Sequence, residues 1–117
     1  MAQALAGTCP EIQGGEVIEP GKLNGYLVAI KEELRKAEKK HPKFCDKIKN
    51  ENCDYRFFEA RYKEHNSKGP YYALDLLHEE IFEAMVAHQY NEKEHALQEL
   101  AQCGAVILRM MEVVDAE

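Results

Sequence analysis

The stretch "LLHEEIFEAM" (residues 76–85) decides the fold. Its apolar residues recur at helical spacing and continue on both sides, which predicts a helix from about Tyr71 to Tyr90. Three acids stand among these apolar residues: Glu79, Glu80 and Glu83. Burying a charge costs several kcal/mol unless something pairs with it, so these glutamates are either a solvated face or a site.

A second periodic stretch follows the short "NEK" turn and predicts a helix from about residue 92 to 114. Its apolar stripe consists of Ala96, Leu100, Cys103, Ile107, Met110 and Val114. Two helices joined by a tight turn pack antiparallel, which brings Glu80 and Glu83 opposite a second polar pair. That pair is Glu99 and Gln102, three residues apart on a different face from the apolar stripe.

Two further helices are predicted before this hairpin. The first starts at Asn24, a candidate N-cap, and ends before Pro42. After a polar loop, Asp54 can cap a shorter helix, "YRFFEARYKEH" (residues 55–65), which "NSKGP" (residues 66–70) then ends. The body of the chain therefore carries four helical patterns and no competing strand pattern.

Length and composition predict one domain. The 117 residues, 45% hydrophobic and 31% charged, are enough for a single core. Residues 1–21 hold four of the seven glycines and two of the four prolines, which predicts an irregular N-terminal arm. The folded domain is then expected over residues 22–117. Four helices with short connections predict an all-α fold, an antiparallel four-helix bundle.

The net charge argues against some classes of binding partner, and the targeting signals bear on the cellular location. The formal net charge of −6 argues against a nucleic-acid polymer or an anionic membrane, because both require a positive protein surface. A free nucleotide that arrives with a divalent metal remains compatible with this charge. The chain shows no long apolar run, no signal-peptide pattern and no CxxC pair among its four cysteines. We therefore expect a cytoplasmic protein with free thiols.

The arrangement of the acids favours a site over a solvated face. Glu79, Glu80 and Glu83 fall within an arc of about 100° on their helix, so their carboxylates can converge. Leu76 and Val86 lie within or beside the same arc, an interleaving that is unusual for a solvated face. Clustered carboxylates repel one another unless a hard cation neutralises them, and Mg²⁺ is the usual occupant of an all-oxygen site. The residues thus predict an acidic metal site without naming a substrate.

At these residues the chain resembles a known family. The pair "EIFE" (residues 80–83), a gap of fifteen residues and "ELAQ" (residues 99–102) look like the ExxE...ExxD signature of MazG-type all-α nucleoside triphosphate pyrophosphohydrolases. The surrounding sequence is similar to that of small, phage-like members, with strong register over residues 73–114. The resemblance implies a MazG-like helical bundle, often dimeric or higher, that binds Mg²⁺ and cleaves an NTP or dNTP to the monophosphate and pyrophosphate.

The resemblance also implies roles for individual residues. Glu80, Glu83 and Glu99 would be the metal ligands, with Mg²⁺ or Mn²⁺ as the cofactor. Gln102 stands where the family usually has aspartate, and its neutral amide should hold metal less strongly than a carboxylate. We hypothesise that a carboxylate such as Glu79 orients the attacking water. The alternative, which Gln102 favours, is a catalytically silent helical module that binds a nucleotide or a protein partner.

A phosphate subsite needs cations, and the sequence offers candidates near the second predicted helix. These candidate substrate-binding residues are Arg56, Arg61, Lys63 and Lys68. The alternative is that these four side chains are ordinary charged residues on the protein surface. The third helix carries apolar residues on more sides than one small bundle can cover, so we also expect a homodimer or a higher oligomer whose interface includes the third or the fourth helix.

Histidines and cysteines suggest other metals less strongly. His78 and Glu79 begin like the HExxH zinc motif, but a phenylalanine stands where the second histidine is required. Two ExxH pairs of the di-iron type sit at predicted helix ends: Glu38 with His41 and Glu92 with His95. A zinc site would have to use residues whose spacing matches no known pattern: His41, Cys45, Cys53 and His65.

Overall fold

The computed structural model describes residues 17–69 and 71–117, which form four α-helices and no strand. The helices are α1 (Pro20–Lys40), α2 (Tyr55–Ser67), α3 (Ala73–Gln89) and α4 (Lys93–Asp115). Helix α3 packs against both α2 and α4, and α1 contacts α4. The predicted all-α fold is confirmed, and the helix packing is consistent with a bundle.

Helix α1 begins earlier than predicted. Its N-cap is Glu19, whose side chain accepts a hydrogen bond from the backbone N–H of Lys22 at 2.9 Å. Pro20 suits the first helical position because its φ is already close to helical and its missing N–H would have no intrahelical partner there. The prediction of Asn24 as the N-cap was therefore wrong. The rest of the predicted arm, residues 1–16, lies outside the described residues.

Helix α2 keeps its predicted cap but ends later than predicted. The Asp54 side chain accepts a hydrogen bond from the backbone N–H of Arg56 at 3.2 Å, which confirms the predicted N-cap. The predicted end after His65 was wrong, because the helix continues through Ser67. Asn66 supplies the physical reason: its side chain is buried against α3, and that contact holds the last turn in place.

The turn between α3 and α4 sets up the hairpin. Asn91 has a φ of 59°, in the left-handed region that asparagine tolerates better than most residues. The backbone N–H of Glu92 donates a hydrogen bond to the carbonyl oxygen of Ala87 at 2.9 Å. The backbone N–H of Asn91 donates to the carbonyl oxygen of His88 at 3.0 Å. This is the Schellman pattern, in which two carbonyls of the last turn find partners. It stops α3 abruptly, so α4 returns antiparallel and the predicted hairpin is confirmed.

An aromatic layer joins α2 to α3. The Phe82 ring stacks on Tyr55, Phe58 and Tyr62, with centroid distances of 6.1, 5.3 and 5.7 Å. The His78 ring adds a contact to Tyr62 at 4.9 Å. Because these rings fix the rotation of α2 against α3, they determine which α2 side chains face the acids of α3.

Helix α1 is the least packed of the four helices. None of its residues is buried, and Leu27, Ile30 and Leu34 are all more than a third exposed. The Tyr26 hydroxyl donates to the Asp115 carboxylate at 2.8 Å and links α1 to the end of α4. Within the described ranges, no helix combines the length and the apolar character of a membrane span.

We expect Phe82→Ala to lower the free energy of unfolding by about 2–4 kcal/mol, because it removes the ring at the centre of the aromatic layer. Urea denaturation of the metal-free protein measures this change. Phe44→Ala is the matched control: the Phe44 side chain is 83% exposed, so its loss should cost less than about 0.5 kcal/mol. Equal losses in the two variants would contradict the assignment of Phe82 as the anchor of α2.

Candidate metal centre

Three carboxylates converge between α3 and α4. One oxygen from each of Glu80, Glu83 and Glu99 lies within 4.8 Å of the other two. Glu80 and Glu83 share a face of α3 because they are three residues apart, and Glu99 reaches them from the antiparallel α4. In the part of the chain that the structure describes, this is the only cluster of three acidic, histidine or cysteine side chains that could hold a metal ion.

The cluster contains buried oxygens without hydrogen-bond partners. Glu80 and Glu99 are only 3% and 2% exposed, and one oxygen of each has no partner among the described residues. Gln102, three residues beyond Glu99 on α4, is buried as well, and neither atom of its amide has a described partner. Buried polar atoms are nearly always satisfied in folded proteins. The unpartnered oxygens of Glu80, Glu99 and Gln102 are therefore available to a water molecule or a cation.

The crowding of the carboxyl groups changes their acidity. Burial, reinforced by Glu99 and Glu83, raises the pKa of Glu80 to about 9. Burial and Glu99 also raise the pKa of Glu83 to about 7, although Lys63 opposes this shift. Burial opposes ionisation of Glu99 too, but hydrogen bonds from Glu80, Glu83 and His95 outweigh it and keep the pKa of Glu99 below its usual value. The metal-free cluster therefore shares protons at neutral pH, which a divalent cation would displace.

His95 is a neighbour of the cluster that sequence reasoning missed. Its Nε2 lies 3.1 Å from Glu99 Oε2, and its Nδ1 lies 3.2 Å from Glu92 Oε1. The hydrogen bond to Glu92, together with Glu99, raises the pKa of His95 despite its partial burial. The ExxH spacing pairs His95 with Glu92 alone, and the structure adds Glu99 as a second partner. The i,i+4 spacing of His95 and Glu99 on one helix was the signal that could have revealed this contact.

Lys63 contacts the other side of the cluster. Its Nζ lies 3.2 Å from Glu83 Oε2 and 3.2 Å from Glu59 Oε2. Burial opposes its charged form, but these two carboxylates outweigh that effect and raise the pKa of Lys63. The ammonium group therefore stays charged and partly neutralises Glu83.

The structure places the other three predicted substrate-binding cations elsewhere. Arg56 donates to the Tyr90 hydroxyl at 2.9 Å. The guanidinium of Arg61 lies over the Phe57 ring, 5.5 Å from its centroid. Lys68 pairs with Glu64 at 3.2 Å, where both side chains are largely exposed. Of the four candidates, Lys63 alone contacts the cluster, and a role of the other three in phosphate binding stays a prediction.

Glu79 faces α2 and is not one of the converging carboxylates. Its Oε1 accepts a hydrogen bond from the Asn66 amide at 2.8 Å, and the same amide donates to the Asp75 carbonyl at 3.2 Å. Asn66 is 2% exposed and Glu79 is 8% exposed. Sequence reasoning placed Asn66 in a loop and missed this pair, because nothing local marks a buried asparagine at a helix end. A role of Glu79 in orienting water stays a prediction.

The alternative metal sites gain no support from the described residues. His41, Cys45, Cys53 and His65 form no cluster that could hold a metal ion there. Three cysteines lie within the described residues, and all three are free thiols: Cys45, Cys53 and Cys103. Three carboxylates at one point suit a hard cation such as Mg²⁺ or Mn²⁺, which can keep further positions for water or a phosphate oxygen.

Comparisons with known proteins found no match to this chain. No family model, no curated protein and no solved structure matches the chain. The carboxylate cluster and the motif spacing in the sequence are therefore the features of this chain that bear on its function.

We expect Glu80→Gln to stabilise the metal-free protein at alkaline pH. Folding raises the pKa of Glu80 from 4.5 to about 9, so the folded state keeps a proton that the unfolded state loses. The contribution of this carboxyl to stability therefore falls as the pH rises from about 4.5 to about 9. At pH 8 the free energy of unfolding of E80Q should exceed that of the wild type by about 1–3 kcal/mol.

Urea denaturation between pH 5 and pH 9, each run with a chelator, measures this difference. Glu33→Gln is the control, because Glu33 forms an exposed ion pair with Lys36. Its stability profile should follow that of the wild type. An E80Q profile parallel to the wild-type profile across this range would show that Glu80 is not held protonated in the folded protein.

Proposed function

We propose that this protein is a Mg²⁺-dependent pyrophosphohydrolase that cleaves an NTP or dNTP to the monophosphate and pyrophosphate. The observation that supports this proposal most is the convergence of Glu80, Glu83 and Glu99, with unpartnered oxygens in a buried space. An all-oxygen site of this kind suits Mg²⁺ that keeps open positions for a substrate phosphate. The ExxE...ExxQ spacing, which resembles the MazG-type signature, supplies the substrate class.

In this proposal the side chains around the cluster have distinct tasks. Glu80, Glu83 and Glu99 hold the metal, which when bound neutralises charge that develops on the triphosphate. His95 positions Glu99 through the 3.1 Å contact, as a neighbour of a metal ligand commonly does. Glu79 orients the attacking water, and the hydrogen bond from Asn66 fixes its carboxylate.

A second candidate function is a catalytically silent module on the same scaffold, which binds a nucleotide or a protein partner. The observation in its favour is Gln102, a neutral amide where the MazG-type pattern has aspartate. Loss of one carboxylate weakens a Mg²⁺ site but leaves three acids in place. The two candidates therefore share metal binding and differ in turnover.

One experiment separates the two candidates. We expect Mg²⁺ or Mn²⁺ to raise the melting temperature in a concentration-dependent way, because a ligand of the folded state stabilises it by mass action. A panel of NTPs and dNTPs with Mg²⁺ should then release pyrophosphate. The double variant E80Q/E83Q should lose both responses, while a control variant at two exposed acids, E33Q/E64Q, should keep them.

The outcomes have different meanings. A metal-dependent melting shift without pyrophosphate release from any nucleotide would support the silent module. A wild-type protein with no metal response would contradict the metal site itself. An unchanged metal response in E80Q/E83Q would show that the ion binds elsewhere.

We also propose that the protein acts in the cytoplasm as a homodimer or a larger oligomer. The free thiols of the described chain fit a reducing compartment. The support for self-association is the apolar side of α1, where Leu27, Ile30 and Leu34 are exposed although they recur at helical spacing. Such a stripe on a symmetric oligomer is covered by the equivalent surface of another copy.

Sedimentation velocity at tens of micromolar, roughly where weak association is detected, should show a dimer or a larger species. Ile30→Glu places a charge within the apolar stripe and should shift the distribution toward the monomer. Lys31→Glu, one position along on the charged side of α1, is the control and should leave the distribution unchanged. A wild-type monomer at these concentrations would contradict self-association.

A further inference from the structure

Lys63 is shared between two carboxylates that differ in their relation to the cluster. Glu59 lies on the same helix as Lys63, at i,i+4 spacing, whereas Glu83 lies on α3 and belongs to the converging carboxylates. Both contacts are 3.2 Å long, and half of the Lys63 side chain is exposed. The ammonium group can therefore leave Glu83 without losing its partner on α2 and without crossing a packed core.

A metal ion at the cluster would compete with this contact. The Glu83 carboxylate cannot give its full charge to both a divalent cation and an ammonium group, and the two cations repel each other at such short range. Glu80 and Glu99 retain unpartnered oxygens, and Lys63 forms an ion pair with neither of them. Metal binding should therefore weaken the contact between Lys63 and Glu83 and leave Lys63 on Glu59.

A triphosphate bound at the metal would reverse the electrostatic effect that Lys63 has at the cluster. It brings several negative charges to the metal, so a nearby ammonium group becomes favourable again. Among the lysine and arginine side chains of the described residues, Lys63 alone forms an ion pair with the cluster. Its long and partly exposed side chain can reach a phosphate oxygen there.

We propose that Lys63 exchanges partners in the order of ligand binding. It neutralises Glu83 in the metal-free protein, gives way to the divalent cation, and then binds the polyphosphate chain of the substrate. This inference rests on the metal-dependent function proposed above. It assigns Lys63 two opposite effects, since it hinders the binding of the metal alone and helps the binding of polyphosphate in the presence of metal.

Isothermal titration of the full chain with Mg²⁺ alone, and then with inorganic triphosphate in saturating Mg²⁺, tests both effects. Inorganic triphosphate carries the phosphate chain without a base or sugar, so base specificity does not enter. Lys63→Met should bind Mg²⁺ about two- to fivefold more tightly than the wild type, because the competing ammonium group is gone. The same variant should bind triphosphate about tenfold more weakly, because a charged hydrogen bond is lost.

Two further variants sharpen the test. Glu59→Gln removes the alternative partner of Lys63, so it should strengthen the contact with Glu83 and weaken Mg²⁺ binding. Lys36→Met is the control, because Lys36 forms an exposed intrahelical ion pair with Glu33 at 3.2 Å, does not contact the cluster and is not among the candidate phosphate-binding residues. It should change neither affinity. Melting temperatures of the metal-free variants verify that all of them are folded.

The possible failures point to different conclusions. If the wild type does not bind Mg²⁺, the proposed metal site is wrong and the role of Lys63 falls with it. If the wild type binds Mg²⁺ and triphosphate but K63M changes both affinities in the same direction, or neither, the partner exchange is overturned and the proposed function stands. If K36M weakens triphosphate binding as much as K63M does, the effect of K63M on triphosphate is one of general surface charge, and the partner exchange is overturned.

Discussion

Like-charge repulsion among Glu80, Glu83 and Glu99 is the constraint around which the neighbouring side chains are arranged. The three carboxyl groups meet within 4.8 Å in a space that is largely closed to water. Such a cluster persists without a cation only if protons and neighbouring donors reduce its charge. The raised pKa values of Glu80 and Glu83, and the contacts from His95 and Lys63, all reduce it. The arrangement lowers the stability of the metal-free fold, and a divalent cation bound there would relieve the repulsion.

The bundle tolerates the destabilising repulsion among the three carboxyl groups because the apolar contacts of α3 lie on its other sides. The Phe82 ring and its aromatic partners attach α2, while Ala84 and Ala87 are fully buried. The turn at Asn91 joins α3 to α4 and aligns the two helices. The carboxylates occupy the side of α3 between its two neighbouring helices. Packing therefore brings the acids together, and the hydrogen bonds from Glu80 and Glu83 to Glu99 form within that spacing.

The fold by itself does not indicate an activity, because helical bundles of this kind serve many functions. The chemically distinctive features of this bundle are its clustered carboxylate oxygens and the two side chains that contact them, His95 and Lys63. Gln102 is the residue that divides the two candidate functions, since it is buried close to Glu99 along α4 but adds no charge. A neutral amide there limits the negative charge in a cluster that already holds protons. The same neutral residue also reduces the attraction of the cluster for a metal.

Much of this arrangement could be predicted from periodicity and spacing, because both are local properties of a helix. The i,i+3 spacing of Glu80 and Glu83, and the short turn before α4, were enough to place Glu99 opposite them. Asp54 was recognisable as an N-cap for the same reason, since capping involves neighbouring residues only. The orientation of Glu79 toward Asn66 and the contact between Lys63 and Glu83 were decided only by the tertiary structure. Both depend on how α2 is rotated against α3, and that rotation is set by aromatic contacts between residues far apart in the chain.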